Sequence, residues 1–169
     1  MSRAFVKEPD GDEIADDQPE LRESPYPNYV TPRGLALLKR EQAELTAEKE
    51  RLDPADLEAK LALAQIDRRL RYLAHRIEHA VPVDPAGQPK DEIAFGATVR
   101  VADEDGKTQD YAIVGEDEAD AAQGKVSWVS PLARALMGAK VGQSVTWKRP
   151  AGDAELEVVA IKYEKASRG

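Results

Sequence analysis

Three carboxylates stand close together in the stretch Asp53-Pro54-Ala55-Asp56-Leu57-Glu58. Hard oxygen donors are the ligands a divalent cation such as magnesium takes. Clustered at the end of a projecting element, they could hold an ion that belongs to another molecule's site. The same residues have a plain structural use, since aspartates cap helices and first-turn carboxylates oppose the helix dipole. Capping accounts for Asp53 and Asp56, and metal work stays open beside it. His75 and His79 lie four apart on one helical face, a spacing that can grip a metal. With no cysteine in the chain and no third ligand on that face except Glu78 nearby, their plain reading is a solvated helical surface. The remaining feature is cationic: Arg68, Arg69, Arg71 and Arg76, with Lys60, Tyr72 and the two histidines, make one helix basic away from its apolar side. Such arginines either pair with glutamates of a neighbouring helix or meet a phosphate backbone such as RNA, where they position rather than read sequence. No P-loop, GxGxxG or GxSxG is present.

The elements that must position these groups are helices. Ala59, Leu63, Ile66, Leu70, Leu73, Ile77 and Ala80 recur in alternating steps of four and three, a heptad seam on one long helix. A seam of this kind needs a partner, and the nearest lies upstream. Thr31-Pro32 reads as a helix start, with Thr as N-cap and Pro at the first position. Leu35, Leu38, Leu45 and Leu52 mark the apolar stripe that follows. Pro54 cannot continue that helix, so the second helix is expected to begin at once, with Asp53 as its N-cap. Two striped helices joined by so short a connection predict an antiparallel coiled-coil hairpin, each arm about 30 Å long for ~20 residues.

Composition bounds the rest. A third of the 169 residues are charged and only 5% aromatic, which suits long solvated helices better than one large core. No apolar run approaches the ~20 residues needed to span a bilayer, and residues 1–13 lack an apolar signal core; a cytoplasmic protein with no membrane association is expected. The net charge of −8 is uneven: residues 8–24 hold eight acidic residues against one arginine, which leaves the remainder near neutral. Residues 1–29, acidic and poor in large apolar side chains, are expected to be disordered. They act either as a solubiliser or as a tail that docks on the arginine stripe or on a partner.

Residues 82–94, with prolines and a glycine, read as a linker. From residue 95 the period changes to two. Ala97–Val101 and Gln109–Val114 read as strands about an Asp103–Gly106 turn, and Lys125–Val129 as a third strand. Ser144–Arg149 and Glu155–Tyr163 read as a closing hairpin. Ser130-Pro131 caps a short helix that Gly138 ends. The fold class is therefore α+β: a helical hairpin over residues 30–81, then a small antiparallel sheet crossed by one short helix over residues 95–165.

At IDRRLRYL, HAVPVD, FGATVRV, YAIVGEDEAD, GKVSWVSPLARALMGAKVGQSV and VVAIKYEK the chain resembles the bacterial Gre transcript-cleavage factors, most closely those of the GreB kind. The resemblance runs from about residue 29 to 165. It implies a coiled coil joined to an FKBP-like domain that docks on RNA polymerase at the rim of its secondary channel, the protein acting as a monomer. It also implies that the coiled coil enters the channel, where two tip carboxylates help bind the polymerase's second magnesium, and that it runs close to nascent RNA. Carried to this chain, the docking residues are Ser130, Pro131, Leu132 and Arg134; Val129 stands where GreB-like relatives have an acidic residue. The RNA-facing arginines are Arg68, Arg69 and Arg71, with Arg76 on the same basic helix.

The departure is at the tip. Relatives carry further helical turns there with a GD-x-x-EN acidic motif, and this chain passes directly from LTAEKERL to DPADLEAK. An arm shorter by about fifteen to twenty residues, shared between two antiparallel helices, loses roughly 12 Å of reach. Coordination tolerates only about 0.2 Å. The expectation is a secondary-channel regulator that does not stimulate cleavage and has no cofactor or metal of its own, as in Rnk-type short-arm relatives. The alternative is a cleavage factor in which Asp53, Asp56 or Glu58 acts on the shared magnesium. A third reading, a peptidyl-prolyl isomerase, rests on the FKBP-like fold alone.

Overall fold

The computed structural model describes residues 19–164; the acidic residues expected to be disordered before residue 19, and residue 165 at the end of the sheet domain, lie outside them. Two helices come first. In α1, Pro32–Arg51, the Thr31 hydroxyl accepts from Gly34 N, Pro32 fills the first turn, and Lys49 and Arg51 face the carbonyl end. In α2, Leu57–Glu78, the N-cap is Asp56 rather than the expected Asp53. Asp53 makes a local turn instead. Its Oδ1 accepts from Ala55 N at 2.9 Å and its carbonyl from Asp56 N at 3.0 Å, so the chain turns once before the helix starts.

The helices lie side by side. Leu38 and Leu73 form a small core with Val30, ringed by Leu35, Leu45, Tyr72, Ile77 and Ala80. Two bonds from Arg69 to Glu41 and a Lys49–Asp67 ion pair at 2.5 Å link α1 to α2, with the chain reversed between them. Ala59 and Ile66 of the seam are also buried, whereas Leu57 and Leu61 near the tip are exposed.

The strands β1 (Asn28–Val30) and β2 (Ala80–Pro82) pair in parallel at the base of the helices. Residues 28–29 were expected to be disordered and are not. Val30 and Asn28 are buried there, and Asn28 exchanges hydrogen bonds with Arg76, which offsets the cost of ordering the chain. The linker expectation for residues 82–94 is likewise corrected at its two ends. Pro82 belongs to β2, and Ile93 is buried in the sheet core with its N–H on Ala139 O.

The second unit is a five-stranded sheet of β3 (Ala97–Ala102), β4 (Thr108–Val114), β5 (Lys125–Ser127), β6 (Ser144–Trp147) and β7 (Ala154–Tyr163), in the order β5-β4-β3-β7-β6. Alternation does the positioning. Ala97, Val99 and Val101 of β3 and Leu156 and Val158 of β7 face one way, into a core closed by Leu132, Ala133 and Leu136 of α3 (Pro131–Leu136). The sheet is not wholly antiparallel as expected. β5 runs parallel to β4, because the chain returns through residues 115–124 and a left-handed Gly124 rather than a tight hairpin turn.

Candidate functional site

At the tip, Asp53, Asp56 and Glu58 are all exposed. Asp53 Oδ1 accepts from Ala55 N and Asp56 Oδ1 from Glu58 N, both within the turn itself. Among the described residues no three His, Cys, Asp or Glu side chains are grouped to hold a metal ion. The histidine pair is also placed for other work. The rings of His75 and His79 are 4.1 Å apart, His79 Nδ1–H donates to the His75 carbonyl, and His75 Nδ1 lies 2.7 Å from Glu23.

The four arginines of α2 do not form one free stripe. Arg69 donates twice to Glu41, at 2.8 and 2.9 Å, a fork-to-carboxylate pair that raises the already high guanidinium pKa. Arg71 donates twice to Glu20, which lowers the Glu20 carboxyl pKa. Arg68 is buried. Arg76 corrects the expectation of a basic surface most sharply, since only 5% of it is exposed. Its Nε donates to Asp117 Oδ2 at 2.6 Å, its Nη2 donates to Asn28 Oδ1 at 2.8 Å, and Glu116 stands 3.6 Å away. Tyr72 OH donates to the other Asp117 oxygen. Burial first, and that bond to Asp117 second, push the Tyr72 phenol up to about 12.

This cluster joins the helices to the sheet domain. Asp117 and Glu116 sit on the loop that leaves β4, and Glu118 of the same loop takes the Thr31 hydroxyl at the start of α1. Gly115 opens the loop, where a Cβ would stand 2.5 Å from Tyr29 O. A buried guanidinium is tolerated here because two carboxylates and an amide surround it. The pairing follows from topology: the loop after β4 and the end of α2 are forty-one residues apart in the Arg76–Asp117 bond.

On the sheet domain, the Ser130 hydroxyl accepts from Ala133 N at 3.2 Å and starts α3. Pro131 and Arg134 are exposed, and Val129 and Ser130 are half-buried. Leu132 does not fit the docking role the resemblance implies: it is 4% exposed, part of the core under α3. Helical geometry explains the division, since Pro131 and Arg134 are three apart on one face while Leu132 and Ala133 point under it. Arg134 Nη2 donates to Tyr26 OH at 2.9 Å, with its guanidinium 5.5 Å from the Tyr26 ring centre. Tyr26 and Tyr29 meet the Trp128 ring edge-on, at 5.9 and 5.1 Å. Sequence reasoning missed Tyr26, Asn28 and Asp117. The one available signal was a tyrosine between Pro25 and Pro27 in an otherwise acidic stretch.

Residues 88–163 match the family model described as transcription elongation factor, GreA/GreB, C-terminal. The chain is 39% identical over 155 residues to the transcription elongation factor GreB of Neisseria meningitidis serogroup B, covering 82% of this chain and 95% of that protein. It is 44% identical over 100 residues to GreA of Alkalilimnicola ehrlichii, 58% of this chain and 63% of that one. The solved GreA factor homolog Gfh1 of Thermus thermophilus aligns with a TM-score of 0.40 at 27% identity, over 81% of this chain and 99% of that chain. The class this defines is a transcription elongation factor. The chain belongs to the GreA/GreB family of transcription elongation factors.

Proposed function

We propose that this chain regulates RNA polymerase without being an enzyme itself and without stimulating transcript cleavage. Its sheet domain docks at the rim of the secondary channel through Ser130, Pro131 and Arg134, with Val129 beside them. Its two helices, packed as an antiparallel coiled coil, enter the channel and stop short of the catalytic magnesium. The protein acts in the cytoplasm as a monomer.

The observation that carries the reading is the brevity of the tip. α1 ends at Arg51 and α2 begins at Leu57, and both aspartates between them are bonded inside the turn. An α1 of 20 residues gives an arm of about 30 Å, with no further helical turn to carry a carboxylate deeper. Of the arginines, Arg69 and Arg71 keep surface exposure and can exchange Glu41 and Glu20 for RNA phosphates. Arg76 cannot do so without leaving a buried carboxylate unpaired.

The test is a backtracked elongation complex with 3′-labelled RNA. Added protein is expected to leave the rate of fragment release unchanged, and to slow release driven by a cleavage-competent GreB in proportion to its concentration. Faster release with this protein alone would show that Asp53, Asp56 or Glu58 reaches the ion, and the reading would fail.

A further inference from the structure

The segment before β1 lies across two surfaces that the proposed function assigns to the partner. Glu20 takes hydrogen bonds from Arg71 Nε and Nη2 at 3.1 and 2.5 Å. Glu23 Oε1 is 2.7 Å from His75 Nδ1, one turn further along α2. Tyr26 then crosses from the helices to the sheet domain. It accepts from Arg134 at 2.9 Å, lies under that guanidinium, and meets Trp128 edge-on.

The two ends of the segment are held differently. Asn28 and Val30 are buried, at 5% and 3% exposure, and fix the chain in β1. Residues 19–27 are exposed except for the half-buried Ser24. Exposed ion pairs contribute little each, and an exposed cation–π contact is of similar size. The segment is therefore tethered firmly at one end and attached weakly along the rest. A tether of this kind keeps it at high effective concentration beside Arg134 even when its contacts open.

We propose that residues 19–27 are an intramolecular cover, occupying Arg71 and Arg134 in the free protein and giving them up when RNA polymerase takes Arg134 and the RNA it holds takes Arg71. This rests on the reading of Arg134 as a polymerase contact. The cover competes in cis, so it weakens binding by about three- to thirtyfold, the range that the Arg71–Glu20 pair and one exposed cation–π contact allow. Its charged contacts are screened by salt, so the effect shrinks as ionic strength rises.

The experiment compares three full-length proteins for affinity to a backtracked RNA polymerase elongation complex across a salt series: wild type, the triple variant Glu20→Gln, Glu23→Gln, Tyr26→Ala, and that triple variant with Arg134→Ala added. All three carry 5-fluorotryptophan. Trp128, against Tyr26, reports the cover. Trp147, whose ring packs under Arg149, serves as internal reference. The triple variant is expected to bind about three- to thirtyfold more tightly at low salt, with the gain fading at high salt. The Trp128 fluorine signal of wild type is expected to move toward that of the triple variant on binding, while Trp147 stays. If adding Arg134→Ala weakens binding but the triple variant binds like wild type or more weakly, the cover is refuted and the docking reading stands. If adding Arg134→Ala leaves the affinity of the triple variant unchanged, the docking reading fails and the cover fails with it.

Discussion

Asp117→Asn removes one charge from the junction between helices and sheet while keeping the side chain's shape. Asp117 and Arg76 expose 14% and 6% of their side chains, so solvent does little to screen the pair. Breaking a buried ion pair by removing one partner costs roughly 3–5 kcal/mol, because the surviving charge is left uncompensated. Here the loss is partly offset. Glu116 Oε2 is buried, has no hydrogen bond among the described residues, and sits 3.6 Å from Arg76 Nη2; a small shift lets it take over. Asn28 also keeps its bond to Arg76. The expected cost is therefore at the low end, about 2–3 kcal/mol. At ~2–4 °C per kcal/mol for a chain of this size, that is a melting temperature lower by about 4–12 °C. The assay is thermal unfolding of Asp117→Asn, Arg76→Met and the double variant. The double variant is expected to be less damaged than the sum of the singles, with a coupling of at least ~1 kcal/mol. Strict additivity, or an Asp117→Asn shift within error of zero, would refute the claim that this pair holds the helices to the sheet domain. Adding Glu116→Gln to Asp117→Asn removes the reserve carboxylate, and the loss is expected to exceed that of Asp117→Asn alone.

Asp56→Ala removes the α2 cap and is expected to lower stability by about 1 kcal/mol in chemical denaturation and, under the proposed function, to leave polymerase affinity unchanged. Asp53→Ala is expected to cost less, since Asp53 supports only the turn. Tyr72 has a folded pKa of about 12, above its unfolded value of about 10. The stability it contributes is thus fully present below about pH 10 and is lost as the pH rises toward 12. Tyr72→Phe is expected to flatten that alkaline loss and to remove a phenol ionising near pH 12 from an ultraviolet titration. Gly115→Ala places a methyl 2.5 Å from Tyr29 O and is expected to displace β1 from the loop, seen as faster amide exchange at Val30 and Val83. Leu73→Ala, in the core between the helices and fully buried, is expected to cost about 2–5 kcal/mol.

Local chemistry made much of the architecture readable. The heptad steps from Ala59 to Ile77, the Thr31-Pro32 start and the Pro54 break gave two helices and their junction, while Ala80, read as the end of the seam, opens β2 instead. Period-two alternation from Ala97 gave the strands, and Ser130-Pro131 gave α3. These signals live in nearest neighbours, so the unfolded sequence already carries them. The N-cap was misplaced by three residues because Asp53 and Asp56 are both good caps, and only the geometry after Pro54 chooses between them. The parallel β4–β5 pair was missed because a strand's direction depends on the path of the ten residues before β5, not on the strand's own pattern.

The sites divide along the same line. That the tip is short and acidic follows from chain length, whereas the burial of Leu132 under α3 beside the exposed Pro131 and Arg134 shows only in the fold, since the resemblance had placed all three on the docking face. What each arginine does could not follow from chain length either. Arg68, Arg69, Arg71 and Arg76 are chemically identical in the sequence, yet one meets Glu41, one meets Glu20, one is buried, and one is enclosed by Asp117 and Asn28. Their partners come from elements far apart along the chain. A charge's role is set by the burial and the opposite charges around it, and folding alone brings those together.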